Sequence, residues 1–389
     1  MERKQKMNKK IIALILALCM TLALAACGTK PAATTTAPDA ATTAPDATSA
    51  PEGEDLTWGL TPFEEKQTIR IGMFTGSVQS YTYYFADQLG VFDALNIEPE
   101  FVCFTGGPAM LEAGADWDLC CLGIGGIAIG LSTYDYDFIE STDYEDNMAI
   151  FVRPDSELAK DPTNPELWKG VECIYPSGTS AQMVLAAYLQ SIGLSLSDVV
   201  STNADNSNAF TVFSGGTGDV LCCWNAIAFA ADDAGYYRVT DCGQLGNSPI
   251  CGTFVHPDYL DSNLDLVATV VAVSRLANEW AYANQEEATQ LYYNHCEEEG
   301  FLCTEDVATR TLAWYAGPTV DEYIASFTTE GAYDEAAGRN LLPVEEDILE
   351  GYDFFVNEGK YTADQRAAWL ADGRVNNSVA LAVKEMLGR

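Results

Sequence analysis

Short apolar runs alternate with helical stretches along most of this 389-residue chain. Runs rich in β-branched and aromatic residues predict strands at residues 68–74, 97–104, 117–122, 148–153, 171–174, 199–202, 220–224 and 236–240. Between them, residues 81–89 and 180–192 have helical spacing, and Gly193 closes the second stripe. Beyond about residue 264 the pattern is mostly helical, most clearly over 264–284 and 285–299. This alternation predicts an α/β fold with mixed, mostly parallel sheets flanked by helices.

The first 26 residues have a different pattern, a basic start followed by an apolar run over 11–26. That run is too short to cross a bilayer comfortably and is typical of a secretory signal. It ends in Leu-Ala-Ala-Cys at residues 24–27, which resembles the bacterial lipobox, where the cysteine becomes the lipidated N-terminus. The sequence therefore predicts a signal peptide over 1–26 and lipidation of Cys27. The alternative is an uncleaved N-terminal anchor, and in both cases the folded part lies outside the cytoplasm.

Residues 27–66 are rich in Ala, Thr, Pro and Asp and repeat the sequence TAPDA. Such a segment has too little apolar surface to offset the entropy of ordering, so we predict a disordered stalk. The whole chain has a net charge of −37, and removal of the signal leaves 56 acidic and 15 basic residues, a net charge of −41. This composition excludes a nucleic-acid partner, which would need clustered Lys and Arg. His256 and His295 are the only histidines, which argues against hydrolytic triads and multi-histidine metal sites.

Several segments, in their order and spacing, resemble the solute-binding proteins of ABC importers. They run over residues 69–283 and read IRIGMF, ADQLGVFDALNIEPEFVCFTGGPAMLEA, WDLCCLGIGG, AIFVRPDS, LWKGVECIYPSGTSAQMVLAAYLQSIGLSLSDVV and GDVLCCWN. A weaker likeness follows in NEGKYTADQRAAW near the C-terminus. The branch that they resemble handles nitrate, taurine, alkanesulfonates and thiamine-pyrimidine precursors.

The resemblance implies a type II periplasmic-binding-protein fold, in which two lobes joined by two hinge crossovers close on a ligand. Lobe one would comprise residues 67–153 and 256–389, and lobe two residues 154–253. It implies a monomeric, lipid-anchored protein at the outer face of a bacterial membrane, which delivers a small molecule to an ABC permease and its ATPase. No enzymatic activity, cofactor or metal is expected.

The candidate ligand site follows from the loops after the predicted strands, because ligands of open α/β sheets bind at the carboxyl ends of strands. Backbone N–H groups at these helix starts favour an anion, and no base lies in the loops. The alternative is that their Gly and Ser residues only form turns. Trp224 could stack on the ligand or belong to the core, and Tyr81 could line the cleft mouth. The candidate ligand-binding residues are Ser77, Tyr81, Gly106, Gly107, Gly123, Gly125, Ser177, Gly178, Thr179, Trp224 and Asn225.

The family often has Glu-Pro after the tryptophan, whereas this chain has Asn225-Ala226. A nitrate or sulfonate fits the helix starts, but a neutral or zwitterionic solute, with Asp219 or a tyrosine meeting its amine, stays open. The alternative function is an exported enzyme on the same scaffold, with Asp118, Asp219 and the cysteine pairs as its candidate residues.

Ten cysteines follow Cys27, and six of them fall within predicted strands, where thiols behave as small buried apolar groups. The two local pairs that could form disulfides are Cys242 with Cys251 and Cys296 with Cys303.

Overall fold

The strands form two mixed sheets, each covered by helices. The computed structural model describes residues 55–389 except 75, 77, 105, 302 and 316. Its strands are β1 (Gln67–Phe74), β2 (Ile97–Phe104), β3 (Leu119–Gly123), β4 (Asp137–Tyr144), β5 (Ala149–Val152), β6 (Glu172–Tyr175), β7 (Val200–Asn203), β8 (Val220–Cys223), β9 (Tyr237–Asp241), β10 (Ile250–Val255), β11 (Tyr333–Asp334) and β12 (Arg339–Asn340).

Helices connect the strands and form most of the C-terminal third of the chain. They are α1 (Tyr81–Gln88), α2 (Val91–Ala94), α3 (Gly107–Glu112), α4 (Ile124–Ile129), α5 (Glu157–Lys160), α6 (Pro165–Trp168), α7 (Ser180–Ser191), α8 (Asn206–Ser214), α9 (Asn225–Asp233), α10 (Cys242–Leu245), α11 (Pro257–Ala283), α12 (Gln285–Glu298), α13 (Glu305–Trp314), α14 (Val320–Thr328), α15 (Pro343–Asn357), α16 (Ala363–Ala371) and α17 (Ser378–Leu387). No helix in the described part of the chain is long and apolar enough to span a membrane.

The two five-stranded sheets have equivalent strand orders, β2-β1-β3-β10-β4 and β7-β6-β8-β5-β9. In the first, β1 is parallel to β2 and β3, while β10 is antiparallel to β3 and β4. In the second, β6 is parallel to β7 and β8, while β5 is antiparallel to β8 and β9. The chain passes from the first sheet to the second between β4 and β5 and returns between β9 and β10. The predicted α/β class with two mixed sheets is confirmed.

Two details of the predicted organisation are wrong. Strand β5 pairs in the second sheet, although the sequence analysis assigned residues up to 153 to lobe one. Likewise, β10 belongs to the first sheet although it begins at Ile250, within the range predicted for lobe two. In both cases the crossover lies before the strand. Strand β5 is the first strand after the chain enters the second sheet, β10 is the first after it returns, and each is the antiparallel strand of its sheet.

Part of the predicted stalk also packs against the fold. Leu60 is buried in the core of the first sheet, and Trp58 and Phe63 pack on that core. These three apolar residues follow the Ala/Thr/Pro segment. The composition averaged over residues 27–66 is dominated by that segment and therefore does not reveal that they pack on the fold. The predicted signal peptide, Cys27 and the rest of the predicted stalk lie outside the described residues.

Candidate functional site

A cavity of about 540 Å³ lies where the loops of the two sheets meet. It is enclosed by the segments that follow β2, β3 and β4 in the first sheet and β6, β7 and β8 in the second. This position at the carboxyl ends of strands is where α/β sheets bind ligands. The predicted residues on its wall are Gly106, Gly107, Gly123, Gly125, Ser177, Gly178, Thr179, Trp224 and Asn225.

The loops of the two sheets touch across this cavity. A β-carbon on Gly125, which lies at the start of α4, would overlap the carbonyl oxygen of Gly178 and lie 3.0 Å from the Cα of Thr179. Such close approach of two backbones requires glycine at one of them. The structure therefore has a closed cleft on this side, held by contact between Gly125 and the loop before α7.

In the second sheet, side-chain oxygens of the protein already accept hydrogen bonds from backbone N–H groups at the helix starts. Asn203 Oδ1 accepts a hydrogen bond from the Ser177 N–H at 2.8 Å, and Gln182 Oε1 accepts one from Gly178 at 2.8 Å. The Thr179 hydroxyl accepts from the N–H of Ala181 and donates to the carbonyl of Pro176. The N-terminal turn of α7 is thus capped internally.

Trp224 is held at the wall through its backbone. Asn206 Oδ1 accepts from the Trp224 N–H, and Asn206 Nδ2 donates to the Trp224 carbonyl, both at 3.3 Å. Asn225 follows with φ of 51°, a left-handed conformation that asparagine tolerates better than most residues. Its side-chain Nδ2 is buried without a hydrogen-bond partner among the described residues.

Glu145, directly after β4, contributes a buried carboxylate to the cavity wall and is 5% exposed. Its Oε2 accepts from the Ser180 hydroxyl at 2.6 Å, and its Oε1 accepts from Gln79 Nε2 at 3.2 Å. Burial raises the pKa of Glu145 to about 7, while the Ser180 hydrogen bond opposes this rise. The neighbouring Asp143 also has its pKa raised to about 7, again through burial.

A loop between α12 and α13 closes another side of the cavity. Phe301 lines the cavity and packs against the apolar core between the second sheet and its helices. Glu299 Oε2 accepts from the Gly76 N–H at 2.8 Å, and a β-carbon on Gly76 would lie 2.5 Å from the Phe301 ring. The loop between β1 and α1 and this C-terminal loop therefore fit each other closely.

Among the described residues, one predicted site residue is not on the wall. Tyr81 is buried in an aromatic cluster with Phe85, Tyr292 and Tyr315, so its assignment to the cleft mouth is wrong. Its spacing from Phe85 on α1 puts both rings on the face that packs against the C-terminal helices. Ser77 lies outside the described residues.

The acids considered for an enzymatic function have structural partners. Asp118 accepts from the Arg70 backbone N–H at 2.8 Å and pairs with the Arg70 guanidinium at 2.6 Å. Asp219 accepts from the Glu172 N–H at 2.9 Å. Asp118 directly precedes β3 and Asp219 directly precedes β8, so both lie at the amino ends of strands, opposite the ends that form the cavity.

Neither predicted disulfide is formed, since the cysteines of the described region are free thiols. Cys242 packs in the core of the second sheet while Cys251 lies within β10 of the first, so the predicted pairing of these two is wrong. Cys296 and Cys303 are closer: their thiols are hydrogen-bonded, and this bond lowers the pKa of Cys303.

Sequence reasoning missed the other polar residues of the cavity, among them Glu145, Asn203, Asp205 and Asn206. Asn203 ends β7 and Asp205 caps α8 by accepting from the Asn208 N–H, so the rule that selected the glycine loops applied to them as well. Glu145 had no such signal, because β4 was not predicted. The base Lys360 reaches the edge of the cleft, with its Nζ beside Gly178.

Comparison with known proteins supports this architecture. No protein-family model and no curated protein sequence matches the chain. Among solved structures, the periplasmic aliphatic sulphonate-binding protein SsuA of Escherichia coli matches with a TM-score of 0.60 and 18% identity, over 77% of this chain and 91% of that one.

Two further structures match similarly. The alkanesulfonate-binding protein SsuA of Xanthomonas axonopodis, bound to MOPS, has a TM-score of 0.58 and 19% identity, over 82% of this chain and 99% of that one. The periplasmic nitrate-binding protein NrtA of Synechocystis has a TM-score of 0.62 and 10% identity, over 83% and 89%. The chain thus has the periplasmic-binding-protein fold, and the predicted resemblance is confirmed at the level of the fold.

Proposed function

We propose that this protein is the solute-binding component of an ABC import system. It captures a small molecule between its two lobes and delivers it to a permease, without chemical change. The observation that carries this proposal is the cavity of about 540 Å³, which loops of both sheets enclose at the carboxyl ends of their strands. A pocket of this size suits a small organic molecule.

The proposed anchoring places the cavity outside the cell. The basic and apolar segments before Cys27 support export and lipidation, and the Ala/Thr/Pro segment provides a spacer from the membrane. The protein would act at the outer face of the cell membrane as a monomer.

The solute-binding function is tested by screening the full chain against sulfonates, nitrate, amino acids and pyrimidines in thermal unfolding. A solute that binds only the native state stabilises it by RT ln(1 + [L]/Kd), so saturating ligand raises Tm. Trp224→Ala and Ser177→Ala should reduce the rise. Absence of any stabilising solute, or equal shifts in both variants and the unaltered chain, would contradict the site assignment.

The anchor is tested by changing Cys27 to Ser. We expect the Cys27→Ser chain to leave the membrane fraction, because it cannot be lipidated, whereas Cys19→Ser should fractionate like the unaltered chain. Equal membrane association of all three would show that Cys27 is not the anchor.

A further inference from the structure

We infer that the solute of this cleft carries a protonated amine and that Glu145 is the residue that binds it. The inference rests on the solute-binding function proposed above and deepens it, because it specifies the chemical class of the ligand. It differs from what the glycine-rich loops suggested, namely that backbone N–H groups hold an anion.

The Glu145 carboxylate has acceptor capacity to spare. It is 5% exposed, lines the cavity and lies beside Gly123. Its hydrogen-bond donors are the Ser180 hydroxyl, the Gln79 amide and the Cys251 thiol, all neutral. In the described part of the chain no Lys, Arg or His forms an ion pair with it. Since an ionised carboxylate offers about four lone-pair sites, a further donor from a ligand fits there.

Three backbone donors that an anion could use in the second lobe are already taken. The N–H groups of Ser177, Gly178 and Trp224 each donate to a side chain of the protein, at 2.8, 2.8 and 3.3 Å. An anion at these helix starts would have to displace Asn203, Gln182 and Asn206 from their hydrogen bonds. This wall therefore favours a ligand group that donates hydrogen bonds over an anion.

The charge of the wall points the same way. The charged residues that line the cavity are Glu145 and Asp205, both acidic, and the amine of Lys360 lies outside this lining, at the edge beside Gly178. A carboxylate buried without a cation is costly, and a ligand cation that pairs with it repays part of that cost. Burial raises the pKa of Glu145 to about 7, and a neighbouring ammonium would lower this pKa again.

A second polar group indicates what the rest of the ligand carries. Asn225 Nδ2 is buried at the wall with no partner among the described residues. Buried polar atoms are nearly always hydrogen-bonded, so this donor fits a ligand acceptor. A zwitterion with an amine at Glu145 and an oxygen near Asn225 would satisfy both groups.

The experiment measures binding to the full chain at pH 8 by calorimetry, with matched probes that differ in the amine. The pairs are taurine with ethanesulfonate, β-alanine with propionate, and 4-aminobutyrate with butyrate, together with nitrate. Native mass spectrometry of the purified protein identifies any solute that it retains. We expect the amine-bearing members to bind about 10- to 100-fold more tightly, as charge-assisted hydrogen bonds do, and a retained solute to contain an amine.

Variants at Glu145 separate its role in ligand binding from the effect of the overall negative charge of the chain. Glu145→Gln should remove most of the preference for the amine, while Glu145→Asp should keep part of it because the charge remains. Glu287→Gln, a change of the same kind on the exposed face of α12, should bind like the unaltered chain. Thermal unfolding of each variant shows whether it is folded.

Each result bears on a different claim. Equal or tighter binding of the amine-free members, a retained solute without an amine, or an unchanged preference in folded Glu145→Gln would overturn this inference and leave solute binding in place. No binding by any probe together with no retained solute would overturn both.

Discussion

Glu145 and Asp143 are buried carboxyls next to the crossover between the two sheets. Burial raises both pKa values to about 7, well above those of unfolded carboxyls. The folded state therefore binds these protons more tightly than the unfolded chain does. Their contribution to stability is present at low pH and is lost as pH rises through 7.

We therefore expect the free energy of unfolding to fall between about pH 4 and 8, by roughly 3 kcal/mol for each carboxyl. The groups that face Glu145 are Asp143, Cys251, Cys242, Ser180 and Gln79. In Glu145→Gln the decrease should be smaller, which urea unfolding at pH 5 and pH 8 would measure. Glu287→Gln controls for the loss of one charge from an acidic chain. The same pH slope in Glu145→Gln and Glu287→Gln would disprove the assignment.

At the scale of elements, β4 and β10 are the strands of the five-stranded sheets that the sequence pattern failed to predict, and β4 shows the reason most clearly. Its sequence DFIESTDY is buried almost throughout, although it contains three acidic residues. Glu140 makes this tolerable: it pairs with Arg275 Nε of α11 at 2.7 Å and accepts from Tyr83 and Thr253. Both members of the ion pair are fully buried. A partner more than a hundred residues away decides the burial of this strand, so no local pattern reveals it.

Arg275→Met should destabilise the protein by roughly 3–5 kcal/mol, because it leaves Glu140 buried without its cation. Arg389→Met, which removes a mostly exposed pair with Asp321, should cost at most about 1 kcal/mol. Adding Glu140→Leu to Arg275→Met should restore part of the loss. Chemical denaturation measures all three, and similar losses from Arg275→Met and Arg389→Met would contradict this role of the pair.

The predictable part of the molecule follows local chemistry. Strands such as β3, β5 and β8 are dense apolar runs, and loop glycines follow β2 and β3, so much of the sheets and of the cavity wall could be predicted from the sequence. Tyr81 could not be placed, because the face of α1 that packs inward depends on the C-terminal helices. Glu145 and Phe301 reach the cavity only through tertiary contacts, which leave no pattern near either residue.

For the whole molecule, acidity extends from the surface into the cleft. The chain has a net charge of −37, and the charged residues of the described cavity wall are acidic as well. At physiological salt, charges are screened beyond about 8 Å, so the buried Glu145 dominates the local field rather than the distant surface. Under the proposed function, a few groups inside the cleft therefore decide which ligand it selects.

Closure over a retained solute is most directly measured by native mass spectrometry of the full chain and of Gly125→Ala. In the variant a β-carbon would overlap the Gly178 carbonyl and hold the lobes apart. Gly243→Ala is the control, since its β-carbon would meet nothing closer than 3.6 Å. We predict that the unaltered chain and Gly243→Ala retain a small non-covalent solute and that Gly125→Ala loses it. Equal occupancy in all three, or a solute in none of them, would contradict capture by closure of the two lobes.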